Sequence, residues 1–391
     1  MGANSLTWNR LPEGPLWLIS PHLRVWQKQL LKQLRKRVPA DPETIWIFSS
    51  GTRAINQIKC IGLKRAAILT AAAGANTHLQ ATRLDRWLIP IPTYHIGGFA
   101  ILARAFLSGS AVEPMGRWLA SDFITTITQR KITLTSLVPA QVYDLVRSRR
   151  RAPSSVRAIV VGGGALDPDL YVSARDLGWP LLPSYGLTES AAQVATAKLS
   201  SLHTRKFPDL AVLPHAQIEL RASRIFIRSP SLCHWIATLD RNGVFTLEDP
   251  RQEGWLATED LAEWDTGGMR VIGRRDEVVK VLGVLVPLAQ VERDLGTWAR
   301  KLNLEGGATI LPLKAAREGT RLLLVTDTNA NLRRWEDLVR DYNQKVSGPY
   351  RVSALAWVPE IPRTELQKTR KSELSARLWG AVRFRKLRTV E

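Results

Sequence analysis

Cysteine is nearly absent: the chain has two in 391 residues, Cys60 and Cys233. That excludes a disulfide framework, and their spacing fits neither a metal site nor a dithiol redox motif. A long apolar run is missing too. The best stretch, Ala66 to Ala75, is rich in Ala and Gly and falls far short of the ~20 residues a bilayer requires. Met1 to Arg10 shows no basic start leading into an apolar stretch, so no secretory signal is read there. Internal repeats and low-complexity segments are also lacking. The expectation is a cytoplasmic protein with no membrane span, in a reducing setting.

Negative charge is scarce. Against 55 Lys and Arg stand 35 Asp and Glu, a net charge of +20. The excess gathers at Lys28 to Arg37, Arg147 to Arg151 and Lys368 to Arg388. Such charge attracts nucleic acid, an acidic membrane face or polyanionic small molecules. These clusters lack interleaved aromatics and sit in no nucleic-acid motif, so solvated helix faces are expected and no specific nucleic acid partner. What remains is ordinary for a globular chain, 45% apolar and 23% charged, and long enough for one large and one small core.

From Thr44 the sequence alternates strand-like and helix-like runs. Strands are read at Thr44–Phe48, Trp87–Ile91, Ile132–Val138, Ala158–Val161 and Leu181–Ser184. Helices are read at Lys64–Arg83, Pro139–Arg150 and Asp167–Gly178. This alternation predicts an α/β fold: a large domain of mostly parallel sheets covered by helices. After about Ser200 the pattern changes to short strands without helices, then to a small α+β tail with helices at Pro287–Leu302 and Asn331–Lys345. A boundary is placed near Gly273-Arg274-Arg275-Asp276.

Ligands of a parallel sheet bind at the carboxyl ends of its strands, and polar or glycine-rich runs occur at those points. Ser49-Ser50-Gly51-Thr52 offers backbone N–H groups and hydroxyls for phosphate, although no Gly-Lys-Ser/Thr follows. Gly162-Gly163-Gly164-Ala165 leaves room for a flat ring against the backbone. Tyr185-Gly186-Leu187-Thr188-Glu189 places an aromatic face, a hydroxyl and a carboxylate within five residues, suited to a base, a phosphate and a magnesium ion. Pro92-Thr93-Tyr94-His95-Ile96-Gly97-Gly98 suggests close packing beside a histidine. Taken singly, each run also fits an ordinary turn, cap or structural donor.

Together, in this order, these motifs resemble the acyl-adenylate-forming, AMP-binding superfamily. Thr258-Glu259-Asp260 resembles the family's Thr-Gly-Asp. Gly273-Arg274-Arg275-Asp276 with Lys280 and Gly283 resembles its hinge motif. Pro362-Arg363-Thr364 with Lys368, Lys371 and Leu374 resembles its C-terminal lysine motif. The resemblance spans roughly residues 44 to 375. It implies a large domain over residues 1–273 with a shortened N-terminal part, a hinge at 274–276, and a small mobile α+β domain over 277–391. It also implies roles. Ser49, Ser50, Gly51 and Thr52 would hold phosphates, with Lys59 standing for a loop lysine. Gly163, Gly164 and Ala165 would border adenine and the acyl group. Tyr185 would stack on adenine beside Gly186, Thr188 would touch the α-phosphate, and Glu189 would hold magnesium. Asp260 would accept from the ribose, with Arg274 beside it, and Asp276 would be the pivot. Lys368 would enter for the first half-reaction, and His95 would line the site.

The activity implied is ligation of a small carboxylic acid to coenzyme A using ATP and Mg2+, by a monomer or homodimer. Asp85-Arg86-Trp87-Leu88, His95-Ile96-Gly97-Gly98 and Ser136-Leu137-Val138-Pro139-Ala140-Gln141 resemble the o-succinylbenzoate-CoA ligases of menaquinone synthesis. The sequence departs from the family at Arg53 to Lys59, at Glu259 and at Gln367. Those departures keep two alternatives open: another aryl or acyl acid, or a nucleotide-binding relative with little turnover.

Overall fold

The computed structural model describes residues 8–49, 56–304, 306–315, 319–327 and 332–380. Its centre is a twelve-stranded sheet. Five strands, in the order Ala111–Pro114, Arg86–Ile89, Leu134–Leu137, Ala158–Val161, Leu181–Leu187, run parallel. The four inner strands are short, mostly apolar and largely buried, as strands sandwiched between helices must be, while the edge strand Ala111–Pro114 is not. The remaining strands of this sheet pair antiparallel, beginning with Ala192–Ala197 beside Leu181–Leu187. Parallel character is therefore confined to the segment where strands and helices alternate. Where helices drop out after Ser200, neighbours join by hairpins. In one, Gln217–Arg221 and Arg224–Arg228 meet at Ala222 and Ser223, both with positive φ.

A second sheet joins Leu16–Leu18, Thr44–Ser49, Gln57–Lys64, Trp235–Asp240 and Phe245–Glu248. The sequence does not mark Gln57–Lys64 as a strand, because Gln57, Lys59 and Lys64 give it a loop-like polarity. Between the two sheets lie two packed helices, Arg65–Leu79 and Ile96–Ser108. The first is alanine-rich, which permits close approach. The second is almost wholly apolar, so it carries no periodic pattern; Gly109, at φ 65°, ends it in a left-handed cap. On the other face of the large sheet, Phe123, Tyr171 and Trp179 are fully buried beneath the helices Ala120–Gln129, Pro139–Arg147 and Pro168–Asp176. Both proline-led helices start where sequence expects, Pro at the first turn.

Among the described residues beyond Arg274, no strand joins either sheet. Val278–Val281 pairs Val284–Pro287, and Ala308–Ala315, Gly319–Thr326 and Val352–Trp357 form a three-stranded sheet. Helices Leu288–Lys301 and Leu332–Lys345 cover it around Trp335, Leu338 and Val339. No helix among the described residues is long and apolar enough to cross a membrane.

Asp85 anchors the amino ends of the parallel strands, away from the ligand edge. Arg157 grips both its oxygens at 2.8 Å and Thr133 Oγ1 donates at 2.7 Å. Burial disfavours the Asp85 carboxylate, yet the Arg157 and Thr133 hydrogen bonds outweigh it and lower its pKa. The Asp85-to-Leu88 run thus serves the fold.

Candidate active site

Strand Leu181–Leu187 runs three residues further than its sequence reading, because Tyr185, Gly186 and Leu187 stay paired with Ala192–Ala195. Gly186 is required there: a Cβ would collide with the backbone of Ala192 and Gln193. Thr188 to Ser190 then make one 3-10 turn. Ala191 and Ala192 follow at φ 54° and 95°, a left-handed backbone that non-glycine residues hold only when their surroundings enforce it.

That strand brings Tyr185 against a buried carboxylate. The Tyr185 hydroxyl donates to Asp260 Oδ2 at 2.8 Å, and Arg274 Nη1 donates to Oδ1 at 2.9 Å. Asp260 and Arg274 face each other across the hairpin Trp255–Asp265 and Gly268–Arg274. Burial, then the Asp260 charge, raises the Tyr185 phenol, so it stays a neutral donor. Arg274 Nε reaches on to Asp276 Oδ1 at 3.0 Å. A single guanidinium therefore ties Asp260 to the residue where the sequence places a pivot.

Glu189 accepts from Lys59 Nζ at 2.8 Å. Lys59 comes from strand Gln57–Lys64, directly opposite Ser49, so it reaches the cleft from a fixed strand. Ser50, Gly51 and Thr52 lie outside the described residues. Gly163 has φ +78°, and Gly163, Gly164 and Ala165 are exposed along the cleft edge. Facing them, Lys368 Cε lies 4.0 Å from where a Gly164 Cβ would be. The Lys368 ammonium has a pKa below the ordinary lysine value, first because neighbouring atoms displace water, then because Arg274 repels it; Asp260 and Glu189 pull the other way. Lys368, Arg274, Asp260 and Glu189 thus share one electrostatic neighbourhood.

His95 makes its polar contact elsewhere. It caps helix Ile96–Ser108, lies 4.8 Å from the Tyr94 ring, and has Nε2 3.3 Å from Glu365 Oε2. The nearby glycine pair does mark close packing, but against the chain itself: a Cβ at Gly98 would strike the carbonyls of Ile91 and Pro92.

Sequence reasoning missed Arg104. It is 3% exposed, and burial lowers its guanidinium to about 10. Nη1 donates to Ser136 Oγ at 3.3 Å, at the carboxyl end of strand Leu134–Leu137, while Nε is buried without a partner. No carboxylate among the described residues pairs with it. A lone charge in the run Ile96–Ser108 was the available signal. Beside the cleft runs a groove of about 1690 Å³, lined among others by Tyr94, Arg117, Tyr143, Arg147, Arg300 and Glu365.

Lys59, Arg274 and Lys368 with Glu189 and Asp260, gathered around the carboxyl end of strand Leu181–Leu187, suit a polyphosphate and a sugar hydroxyl pair. Among the described residues, no group of three or more His, Cys, Asp or Glu is arranged to hold a metal alone. Glu189 in contact with an ammonium fits a magnesium ion shared with phosphate oxygens.

The AMP-binding enzyme family matches residues 12–223, more than half of the chain. The 2-succinylbenzoate–CoA ligase of Bacillus subtilis is 29% identical over 235 residues, which cover 57% of this chain and 47% of that protein. The Staphylococcus aureus (strain MSSA476) enzyme of the same name is 28% identical over 219 residues, 54% of this chain and 43% of that one. The chain thus spans about half the length of the curated relatives it matches. Among solved structures, the B. subtilis o-succinylbenzoate CoA synthetase bound to its acyl-adenylate intermediate aligns with a TM-score of 0.72 and 23% identity, covering 84% of this chain and 68% of that one. An amide bond synthetase from Marinactinospora thermotolerans aligns at 0.68 and 19% identity, covering 88% and 71%. The likeness to these structures is one of fold.

Proposed function

Because the chain belongs to the AMP-binding enzyme family, we propose that it activates a carboxylic acid with ATP as an acyl-adenylate and transfers the acyl group to coenzyme A, and that the acid is o-succinylbenzoate. The observation that carries this reading is the approach of Lys368 to Gly164 within the charge field of Glu189, Asp260 and Arg274. In the first step a carboxylate oxygen attacks the α-phosphorus and the bond to pyrophosphate breaks. Negative charge grows on the phosphoryl oxygens, and Lys368, approaching from the C-terminal side, stabilises it. Asp260 accepts from the ribose hydroxyls, oriented by Tyr185 and Arg274. Lys59 receives the phosphates, and Glu189 would be the protein ligand of the magnesium that ATP brings, which would neutralise phosphate charge there. In the second step the thiol sulfur attacks the acyl carbon and AMP leaves. For this, the segment after Asp276 would turn away and withdraw Lys368.

The nature of the acid is supported by Arg104. A buried guanidinium with an orphaned Nε, bonded to Ser136 on the strand beside the one that leads to the glycine run, favours a substrate with a second carboxylate. o-Succinylbenzoate has one to activate and one to hold, and the B. subtilis relative is named for it. The groove lined by Arg117, Arg147 and Arg300 supports entry of a phosphorylated thiol.

The test is purified protein with ATP, magnesium, o-succinylbenzoate and coenzyme A, monitored for pyrophosphate and thioester. Pyrophosphate release with a panel of other acids but not with o-succinylbenzoate would overturn the acid. ATP binding by folded protein with no pyrophosphate from any acid would overturn the ligase reading.

A further inference from the structure

We propose that Glu365 is a positioning residue, docking the turn that carries Lys368 onto the large body through Ser20, Tyr94 and His95. The proposal rests on the reading that Lys368 serves adenylation.

The turn is a closed unit. Thr364 N donates to Lys368 O at 2.7 Å, Gln367 N to Thr364 O at 2.8 Å, and Lys368 N to Thr364 Oγ1 at 3.1 Å. Arg363 Nη1 adds a bond to Gln367 O at 3.2 Å. Such a unit moves as one piece, so whatever holds Glu365 also sets the Lys368 ammonium three residues away. Glu365 reaches out of the turn to the large body. Ser20 Oγ donates to Oε1 at 2.5 Å, His95 Nε2 lies 3.3 Å from Oε2, and the Tyr94 hydroxyl joins them. Ser20 is itself fixed, since its oxygen accepts from His22 N at 3.1 Å. Burial pushes the Glu365 carboxyl up, but the His95, Ser20 and Tyr94 hydrogen bonds outweigh it and hold it at about 2, so it is ionised at neutral pH.

The other polar contacts between the two parts cannot substitute. Arg24 to Glu373 at 2.9 Å, and Arg300 to Asp167 at 2.8 Å and Asp169 at 3.1 Å, sit further along the chain from Lys368, on arginines 52% and 39% exposed. Exposed pairs of this kind orient weakly. The Ser20 contact also gives the segment 16–24 a task, as the floor on which the lysine turn rests.

Three variants test the assignment in the full chain. Glu365→Ala should lower the adenylation kcat ~10–50-fold, the scale of a misplaced catalytic group, with KM for ATP moving less than ~3-fold. Thioester formation from preformed adenylate should stay within ~2-fold, since that step does not use Lys368. Glu365→Gln keeps an acceptor for Ser20 and should recover most of the loss. Ser20→Ala, a milder change should Glu365→Ala fail to fold, should cost ~3–10-fold in the same half-reaction only. Independently of activity, the backbone amides of residues 364–370 should exchange hydrogen faster in Glu365→Ala while those of Gly319–Thr326 do not change. Unchanged exchange and adenylation in Glu365→Ala, or an equal fall in both half-reactions, overturns the assignment. Faster exchange in a protein whose wild type makes no adenylate supports the docking role and removes the catalytic reading instead.

Discussion

On one side of the cleft Tyr185, Asp260 and Arg274 are tied together within the large sheet, with Asp260 6% exposed. On the other, Lys368 rides on a solvent-exposed turn that meets the same body through Glu365. The first wall is built from buried bonds that cannot be exchanged for water without cost. The second is built from bonds at a partly wet surface, cheap to break and remake. The difference suits the proposed chemistry: the groups needed in both half-reactions are fixed, and the group needed in one is detachable.

If the walls divide in this way, the largest effect on chemistry should come from the detachable one without loss of stability. Lys368→Ala should reduce adenylation ~10²–10³-fold, the range for removing one donor to developing charge. Thermal unfolding should shift little, because an ammonium whose charged form is disfavoured by crowding and by Arg274 contributes little to the folded state. Equal loss in thioester formation from preformed adenylate would show that the lysine is not confined to one step. The pH profile should agree. The Lys368 pKa lies below the ordinary lysine value, so the charged form is lost as pH rises through it. Adenylation should fall on the alkaline side earlier than an unperturbed lysine, near ~10.4, would allow; a profile flat to that pH would contradict it.

The fixed wall should break differently. Asp260→Ala leaves the Tyr185 hydroxyl without its acceptor and Arg274 without its buried partner. A cost of ~2–3 kcal/mol in stability is expected, discounted because Arg274 is 40% exposed. Denaturant titration and nucleotide affinity should both register it. A variant that loses nucleotide binding at unchanged stability would mean Asp260 is not part of the scaffold.

Much of the fixed wall was legible in the sequence because it depends on local patterns. Short apolar runs alternating with helices mark four of the five parallel strands; the edge strand Ala111–Pro114, half exposed and carrying Glu113, gives no such signal. Tyr185, Glu189, Asp260 and Arg274 stand immediately at strand ends or on one hairpin. What could not be read depends on contacts remote in sequence. Glu365 and Ser20 are 345 positions apart, and neither has a motif of its own. The helix Ile96–Ser108 has no polar face because both sides are buried, so periodicity is silent there. Lys59 reads as part of the phosphate loop because Gln57, Lys59 and Lys64 are polar; pairing with Thr44–Ser49 on one side and the distant Trp235–Asp240 on the other makes Gln57–Lys64 a strand.

Arg104 extends the comparison to the buried layer between the two sheets. Arg104→Gln should raise KM for o-succinylbenzoate ~10–30-fold, as expected for losing a charge-assisted bond. KM for a matching acid without the second carboxylate should change less than ~3-fold, since the affected contact is absent there. Equal changes for both acids would assign Arg104 to packing alone.

The smallest expected effect separates the shape of the lysine turn from its docking. Gln367 sits at φ 62°, a left-handed conformation that glycine adopts without strain and a side chain does not. Gln367→Gly should relieve that strain, partly offset by the greater freedom of glycine in the unfolded chain, for a net gain of ~0.5–1 kcal/mol locally. If docking through Glu365 is what sets Lys368, relieving the turn should alter adenylation less than ~2-fold, in wild type and in Glu365→Ala alike. Recovery of adenylation by Gln367→Gly in the Glu365→Ala background would show instead that the internal geometry of the turn, and not its attachment to Ser20, Tyr94 and His95, delivers the lysine.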